Sequence, residues 1–490
     1  MGAVYTLVTS GARTPDVRVG PAGVTVLGLR RGLLSLLVLV IAIALATVAD
    51  RAADRPLHRS ANRSAPVEAD LSPPPQQAPA TTAVTAPAAA PAPPASCPEW
   101  SDGTPGPEAA PIAAKLAPYL LDPRLQDNDV SVSVWIDGIG EVASLNGDQR
   151  LNVASNQKLL TAMGVLSEFD LGTTFHTSIN ATSVDAAGVV AGDLVLVGGG
   201  DPTLTSTGPH SLMALAAAVR TAGVTEVRGR VLADESRYEP ARYAPGWLDW
   251  QIPTYVGPLS AVIVDDNRRR VDSSFLANPA QAHAEAFRQR LIDAGISVHG
   301  PAQTGQAPAG SHPLAEIDSS PVGDLLARML LSSDNEIAES LTREAGVLLA
   351  GSGSTAAGTA ALEHGLSQGC APIAAGGWAD GSGLSRSDFR SARELRRLIQ
   401  YARTQPWWPA LEARLPVAGE TGTLAARFRG TAAQHRVEAK TGTIIGGGAL
   451  TGVIHASNGR DVVFSYLVNG ESAPTAVAAL DRLVVALAQT

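Results

Sequence analysis

A long apolar run followed by a Pro/Ala-rich segment limits which part of this chain can fold into a compact body. Residues 32–49 form 18 consecutive positions without a charge, and Arg30 and Arg31 precede them. Residues 65–96 consist mainly of proline and alanine, a composition that cannot supply a hydrophobic core. The globular part of the 490-residue chain is therefore expected to begin near Cys97.

The apolar run has two interpretations. Eighteen residues is the short end of a transmembrane helix, and the paired arginines predict that residues 1–31 stay in the cytoplasm. A signal peptide is the alternative, because Ala44-Leu45-Ala46 places small residues at cleavage spacing. The stretch before the run is long for a signal peptide, so we favour a single-pass membrane anchor over secretion after cleavage. Either interpretation predicts an extracytoplasmic body in the cell envelope, tethered by a disordered linker over 50–96.

Charge and composition argue against several classes of partner. The formal net charge is -9 and aromatic residues make up 4% of the chain, so neither a basic face nor a base-stacking platform for nucleic acid is expected. The two cysteines lack metal-site spacing, and the nine histidines form no HExxH pattern. We therefore predict no nucleic-acid partner, no metal and no cofactor.

The order of periodic segments predicts an α/β (α+β) body that is split in sequence. Residues 129–138 alternate β-branched and polar side chains, and a helix is predicted from Ser155 through Glu168. Short strands and turns dominate from about Thr173, and helices return from about Leu314. We expect an antiparallel sheet flanked by helices, built from 97–172 and 313–490, with a strand-rich inserted domain over 173–312.

The first chemical motif is Ser155-Asn156-Gln157-Lys158. On a helix, a spacing of three places the serine hydroxyl and the lysine amine on one face. A neutral amine can act as the base that activates a serine hydroxyl. Only three of the 37 Lys and Arg residues are lysines, so a retained lysine indicates a need for a cation that can lose its proton.

Two further motifs follow in order. In Ser333-Asp334-Asn335, the hydroxyl and the amide two residues apart can face one cleft, the first to relay a proton and the second to bind a substrate amide. Lys440-Thr441-Gly442-Thr443 ends a predicted strand and offers a cation and two hydroxyls to a carboxylate. Gly442 is expected to leave room for a substrate against the strand edge.

Each motif alone is weak evidence for an active site. In the alternative interpretation, Ser155 is a helix cap, Lys158 is a solvated side chain and residues 440–443 form a turn. Their order, and the presence of two of the three lysines in two of the motifs, favour an active site.

Together the motifs resemble the active site of penicillin-binding proteins and serine β-lactamases, and specifically the low-molecular-mass class C D-Ala-D-Ala carboxypeptidases/endopeptidases. Further matches are GGGDPTL at 198–204, SAVIVDDN at 260–267 and DGSGLSR at 380–386. The resemblance covers about residues 110–490 and implies a β-lactamase/transpeptidase-like fold with a domain inserted between the first two motifs.

The resemblance also implies a role for each motif residue. Ser155 would be the nucleophile toward peptidoglycan stem peptides and β-lactam antibiotics, with Lys158 as its base. Ser333 and Lys440 would serve proton transfer to the leaving group, and Asn335 would hold the substrate backbone. Further implied positions are the substrate-binding residues Thr441, Gly442 and Thr443, the oxyanion-hole N–H groups of Ser155 and Thr443, and Arg386, which would meet a diaminopimelate carboxylate.

Several alternatives stay open. A serine β-lactamase or esterase of the same fold would need a residue to activate water, for which Glu420 is a candidate; a catalytically silent wall-binding scaffold would need no chemistry. Arg386 could equally be a surface arginine at a helix start. Cys97 and Cys370 are predicted to form a disulfide after export, with two free buried thiols as the alternative.

Overall fold

The computed structural model describes residues 17–20, 23–26, Cys97, Glu99, Trp100, Asp102 and 105–490. The expected membrane segment 32–49 and the linker 50–96 lie outside the described residues. Strands β1 (Val17–Gly20) and β2 (Gly23–Val26) pair antiparallel within a first unit, Met1–Pro87. All other described elements belong to a second unit, Ala88–Thr490.

The second unit contains both helices and strands. Its α-helices are α1 (Ala109–Leu120), α2 (Gln157–Glu168), α3 (Leu212–Thr221), α4 (Pro279–Asp293), α5 (Val322–Ser332), α6 (Asn335–Ala350), α7 (Thr355–Gln368), α8 (Ala392–Arg403), α9 (Trp408–Glu412) and α10 (Ala473–Leu487). Its strands are β3 (Asp129–Ile136), β4 (Gly140–Leu145), β5 (Arg150–Asn152), β6 (His176–Ala181), β7 (Val189–Val190), β8 (Leu194–Val197), β9 (Glu226–Val227), β10 (Val231–Asp234), β11 (Ser297–Val298), β12 (Ala302–Thr304), β13 (His312–Asp318), β14 (Phe389–Ser391), β15 (Val437–Ile444), β16 (Gly447–His455) and β17 (Asp461–Asn469).

The length and apolarity of a helix determine whether it can cross a membrane. Among the described residues, no single helix is both long and apolar enough to cross a membrane. Helices α6 and α7, bent by 74° at the break between them, pass that criterion only as a pair.

The main sheet is antiparallel, with strand order β15-β16-β17-β3-β4. Its central strands are buried on both faces because successive side chains point to opposite sides. In β17, Val463 and Leu467 join a core with α2, α5, α6, α7 and α8, whereas Phe464 and Val468 join a second core with α1 and α10. The sheet therefore lies between two helical layers, and β15 forms one of its edges.

The inserted unit is built around a second sheet with order β12-β10-β8-β6-β13. Strands β8, β10 and β12 run parallel, while β6 and β13 pair antiparallel. The pairing of β13 with β6 continues through Asp318, six residues past residue 312, where the inserted domain is predicted to end. Helices α3 and α4 pack on this sheet, so the insertion is a mixed α/β unit.

The N-terminal end of the second unit is fixed to the region after α7. Cys97 and Cys370 are joined by a disulfide across a separation of 273 positions. The indole Nε1–H of Trp100 donates to the carbonyl oxygen of Cys370 at 2.8 Å, and its ring packs edge-on against Tyr401. Residues far apart in sequence are thereby linked next to the helical core.

Candidate active site

Ser155 lies on a short 3₁₀ turn, Ala154–Asn156, that leads into α2. The predicted helix therefore begins two residues later, at Gln157. Ala154 has a φ of 46°, a left-handed conformation that lets the chain turn sharply from β5 into the helix. One turn on, the Nζ of Lys158 lies 3.3 Å from the Oγ of Ser155. The predicted pair thus shares one face, with Ser155 partly exposed and Lys158 fully buried.

The second motif occupies the tight junction between α5 and α6. Ser333 ends α5 in the left-handed conformation, and the Asp334 side chain caps α6 by accepting from the Ile337 N–H at 3.1 Å. Asn335 accepts from Lys158 Nζ through Oδ1 at 2.7 Å. Its Nδ2 donates to the Tyr255 carbonyl oxygen at 2.9 Å. The orientation of the Asn335 amide is thereby fixed from both ends.

The third motif lies on the edge strand β15. Lys440 Nζ donates to Ser333 Oγ at 2.9 Å and to the Thr441 carbonyl oxygen at 2.8 Å. Thr441 and Thr443 point toward the same cleft as Ser155. The structure therefore brings the three motifs together, although they are separated by more than 100 residues in sequence.

Burial makes both lysines unusual bases. Lys158 is fully buried, and this desolvation lowers its pKa to about 8, while the nearby carboxylates of Asp380 and Glu339 act in the opposite direction. Burial, with the charge of Lys158, holds the pKa of Lys440 well below its usual range. A pKa near 8 gives a substantial neutral fraction at neutral pH, as a base for Ser155 requires.

The site opens into a cleft of about 340 Å³. Its lining includes the hydroxyl groups of Ser155 and Ser333 and the apolar side chains of Leu384 and Ile444. The remaining lining residues are Tyr255, Asn335, Thr423, Arg427, Thr441 and Thr443. Such a cleft can hold a small peptide end with its carbonyl close to the serine.

Comparison with known proteins identifies the family. The sequence model of the D-Ala-D-Ala carboxypeptidase 3 (S13) family matches residues 112–275 and 271–490. The chain belongs to this family. Membership confirms the resemblance to low-molecular-mass class C penicillin-binding proteins and the predicted enzyme class, a serine-type carboxypeptidase.

Relatives of the chain match over most of their length. The D-alanyl-D-alanine carboxypeptidase of Actinomadura sp. (strain R39) is 31% identical over 450 residues, covering 76% of this chain and 83% of that protein. Carboxypeptidase DacB of Mycolicibacterium smegmatis is 29% identical over 429 residues, covering 81% and 89%. The crystal structure of penicillin-binding protein 4 from Haemophilus influenzae has a TM-score of 0.69 at 22% identity, covering 77% of this chain and 99% of that one. This last similarity confirms the predicted fold.

The structure gives the missing side chain of Gly442 a role in packing, and its role in leaving room for substrate stays a prediction. A Cβ at this position would lie 2.9 Å from the Val153 carbonyl oxygen and 2.9 Å from Asn156 Nδ2. These atoms belong to the segment that carries Ser155. Glycine therefore lets β15 pack closely against the nucleophile turn, and the space is filled by the protein.

Arg386 lies outside the set of residues that line the cleft. Its guanidinium donates to the Ile445 carbonyl oxygen at 2.9 Å, just beyond the end of β15. The side chain is therefore held beside the cleft residue Ile444 by a backbone contact.

Sequence reasoning missed several residues in the site. Thr423 Oγ1 accepts a hydrogen bond from the Thr441 hydroxyl at 2.7 Å. Arg427 also lines the cleft, where its guanidinium is held by Asp481 and Tyr466. Arginine is common in this chain, so Arg427 gave no signal of its own. Asp380, by contrast, lies in the DGSGLSR match at 380–386, which did point to this region.

Proposed function

We propose that the chain is a penicillin-binding D-Ala-D-Ala carboxypeptidase/endopeptidase that acts on peptidoglycan stem peptides through an acyl-enzyme at Ser155. The observation that carries this proposal is the 3.3 Å approach of the Lys158 amine to the Ser155 hydroxyl, with a Lys158 pKa of about 8. Family membership and relatives named as D-alanyl-D-alanine carboxypeptidases support the substrate class.

In the acylation step, Ser155 Oγ attacks the carbonyl carbon of the penultimate D-alanine. Lys158 takes the hydroxyl proton, and a tetrahedral intermediate forms. The C–N bond then breaks, and the proton held by Lys158 passes to the leaving D-alanine nitrogen through Ser333, which contacts Lys440 at 2.9 Å, so that Lys158 is neutral again. Water later attacks the ester carbonyl and gives a proton to Lys158. Lys158 returns this proton to Ser155 Oγ as the ester C–O bond breaks.

Substrate is held along the open edge of the main sheet. Residues 416–418 pair with the first three residues of β15. Along the rest of its length, β15 is the terminal strand of the main sheet. A stem peptide can add there as an extra strand, with Asn335 binding its backbone. The terminal carboxylate would meet Lys440, Thr441 and Thr443, and the N–H groups of Ser155 and Thr443 would stabilise the oxyanion.

Arg386 is the residue we assign to the side-chain carboxylate of the diamino acid at stem position three. Support comes from its place beyond the end of β15, beside the cleft residue Ile444. Replacement by glutamine should reduce turnover of stem peptides that carry this free carboxylate and leave turnover of amidated peptides unchanged. A variant that turns over the free-carboxylate peptide at the wild-type rate would make Arg386 a surface residue.

A β-lactamase is less well supported. Glu420, the candidate for water activation, contacts His435 at 3.0 Å and is 55% exposed. The ten residues that line the cleft, in the part of the chain that the structure describes, include no carboxylate. The acyl-enzyme formed with penicillin is therefore expected to persist.

Bacterial relatives named as D-alanyl-D-alanine carboxypeptidases support an extracytoplasmic location in the envelope. We propose in addition that residues 32–49 anchor the chain in the membrane and that 50–96 give the catalytic unit reach. Fractionation of cells that express the full chain tests this, because a cleaved signal peptide would release the protein from the membrane fraction.

The function is tested with purified full chain and two muropeptide pools, monomeric pentapeptide and cross-linked dimer, analysed by mass spectrometry. Loss of one D-alanine residue from monomers identifies carboxypeptidase activity, and cleavage of dimers into monomers identifies endopeptidase activity. Ser155→Ala is the control and should show neither. If the wild-type chain turns over neither peptide pool and is not labelled by fluorescent penicillin, the proposal is refuted.

A further inference from the structure

The DGSGLSR segment at 380–386 folds around one buried carboxylate. Asp380 Oδ1 accepts the N–H groups of Gly383 at 2.6 Å and Ser382 at 3.0 Å. Its Oδ2 accepts the Ser385 N–H at 2.8 Å and the Trp247 indole N–H at 2.7 Å. Asp380 and Ser382 are fully buried. One side chain therefore sets the path of the whole loop.

This loop is also attached to the elements that carry the catalytic pair. Thr161, on the same helix as Lys158, donates from Oγ1 to the Gly381 carbonyl oxygen at 2.8 Å. Glu339 Oε1 accepts the Ser382 N–H at 2.9 Å. A Cβ on Gly383, where φ is 82°, would lie 1.9 Å from the Ala154 carbonyl oxygen, so the loop packs directly on the nucleophile turn.

The consequence of this path is the position of one carbonyl group. The Ser382 carbonyl oxygen lies 2.7 Å from Lys158 Nζ, and Asn335 Oδ1 lies at the same distance. A neutral amine has two N–H bonds and one lone pair. If these two short contacts take the two N–H bonds, the lone pair faces the remaining neighbour, Ser155 Oγ at 3.3 Å.

We propose that Asp380 is a positioning residue that holds the Ser382 carbonyl against Lys158 and thereby aims the amine lone pair at Ser155. The proposal rests on the proposed function, in which Lys158 is the base. Asp380 itself touches neither substrate nor the reacting atoms. It acts through the backbone of its loop.

Charge provides a readout that a purely structural role would not change. Burial is the main influence on Lys158 and lowers its pKa. The titratable groups around it are Asp380 on the loop, Asp388 just after the loop, Glu339 and Asp334 on α6 and its cap, and Lys440 on β15. The carboxylates raise the Lys158 pKa and Asp380 has the largest such effect, so removing its charge should make Lys158 easier to deprotonate.

The experiment measures the rate of acylation by fluorescent penicillin as a function of pH for purified full-length variants. Asp380→Asn should lower the maximal rate by at least about tenfold, because its amide nitrogen cannot accept from Ser385 or Trp247. The rising limb of its pH profile should also move to lower pH. Thr161→Val, which loosens the loop without changing charge, should lower the rate several-fold and leave the midpoint unmoved.

Asp201→Asn is the matched control. Asp201 is 1% exposed and ties its own loop by accepting the Thr203 N–H at 2.7 Å, but it lies in the inserted unit. Its loss should leave the acylation rate of the folded protein unchanged.

A wild-type rate in Asp380→Asn, a loss of rate without a shift of the pH midpoint, or an equal loss in Asp201→Asn would each overturn the proposal. If Asp380→Asn does not fold, Thr161→Val decides, and a wild-type rate in that variant overturns it. Failure of wild type to acylate would instead refute the proposed function.

Discussion

Replacing Lys158 with arginine keeps a positive charge beside Ser155 but removes the ability to take a proton. Lys158 is fully buried and contacts Ser155, Asn335 and Ser382. A guanidinium can donate to the same oxygen atoms, so the electrostatic surroundings change little. Guanidinium stays protonated in proteins, however, and cannot serve as a general base.

The size of the effect follows from the two ionisation constants. With a pKa of about 8, Lys158 is neutral in roughly one molecule in ten at pH 7. Arginine, whose pKa lies more than four units higher, is neutral in only about three molecules per million. The difference corresponds to about 6 kcal/mol, so acylation should slow by about 10⁴-fold or more.

The assay is the second-order rate of labelling by fluorescent penicillin at pH 7, with thermal unfolding as the check on folding. Lys440→Arg should lose less activity, because a cation still meets the carboxylate. Lys115→Arg, at an exposed position of α1, should acylate like wild type. Normal acylation by folded Lys158→Arg would refute the assigned base, and a larger loss at Lys115 would overturn the placement of the site.

Four further outcomes are expected. Wild-type acylation should rise about tenfold between pH 7 and pH 9, because the base must be deprotonated and the Lys158 pKa is about 8; a flat profile would contradict this. Removing the Cys97–Cys370 disulfide, which spans 273 positions, should lower the free energy of unfolding measured in urea by up to roughly 5 kcal/mol. Alkylation of both thiols in unreduced exported protein would show that no bridge exists. Gly442→Ala should lower the free energy of unfolding by about 1–3 kcal/mol and slow acylation, because its Cβ would lie 2.9 Å from a backbone oxygen of the nucleophile segment. Gly172→Ala, whose Cβ would have nothing within 4 Å, should change neither. Equal effects of the two substitutions would contradict the packing argument. Deleting residues 1–96 should leave a soluble protein that still binds penicillin, and a folded product that binds none would show that the boundary is misplaced.

The main elements around the site could be predicted from local patterns. Alternation over 129–138 predicted β3, which ends at Ile136, and the apolar periodicity after Ser155 predicted α2, which begins at Gln157. Helix α7 was not predicted. The pairing of β13 with β6 was not predicted either, because β6 lies more than 130 residues earlier in the chain. Thr423 and Arg427 were missed for a similar reason, since each reaches the cleft only after β15 joins the sheet.

The sequence by itself determined which residues can carry the chemistry. Serine and lysine three apart, the Ser-Asp-Asn turn, and a lysine followed by Thr-Gly-Thr are recognisable because their functional groups and spacing are local properties. In a chain with three lysines, residue type alone singled out Lys158 and Lys440.

Only the tertiary structure decided how reactive those groups are. The pKa of Lys158 falls to about 8 because packing removes water from its amine, and the oxygens that orient the amine come from residues 177 and 224 positions away. The tertiary structure likewise added a packing role for Gly442, whose missing side chain makes room for the nucleophile segment. Desolvation and close packing depend on which distant segments meet, so no local pattern in the sequence contains them.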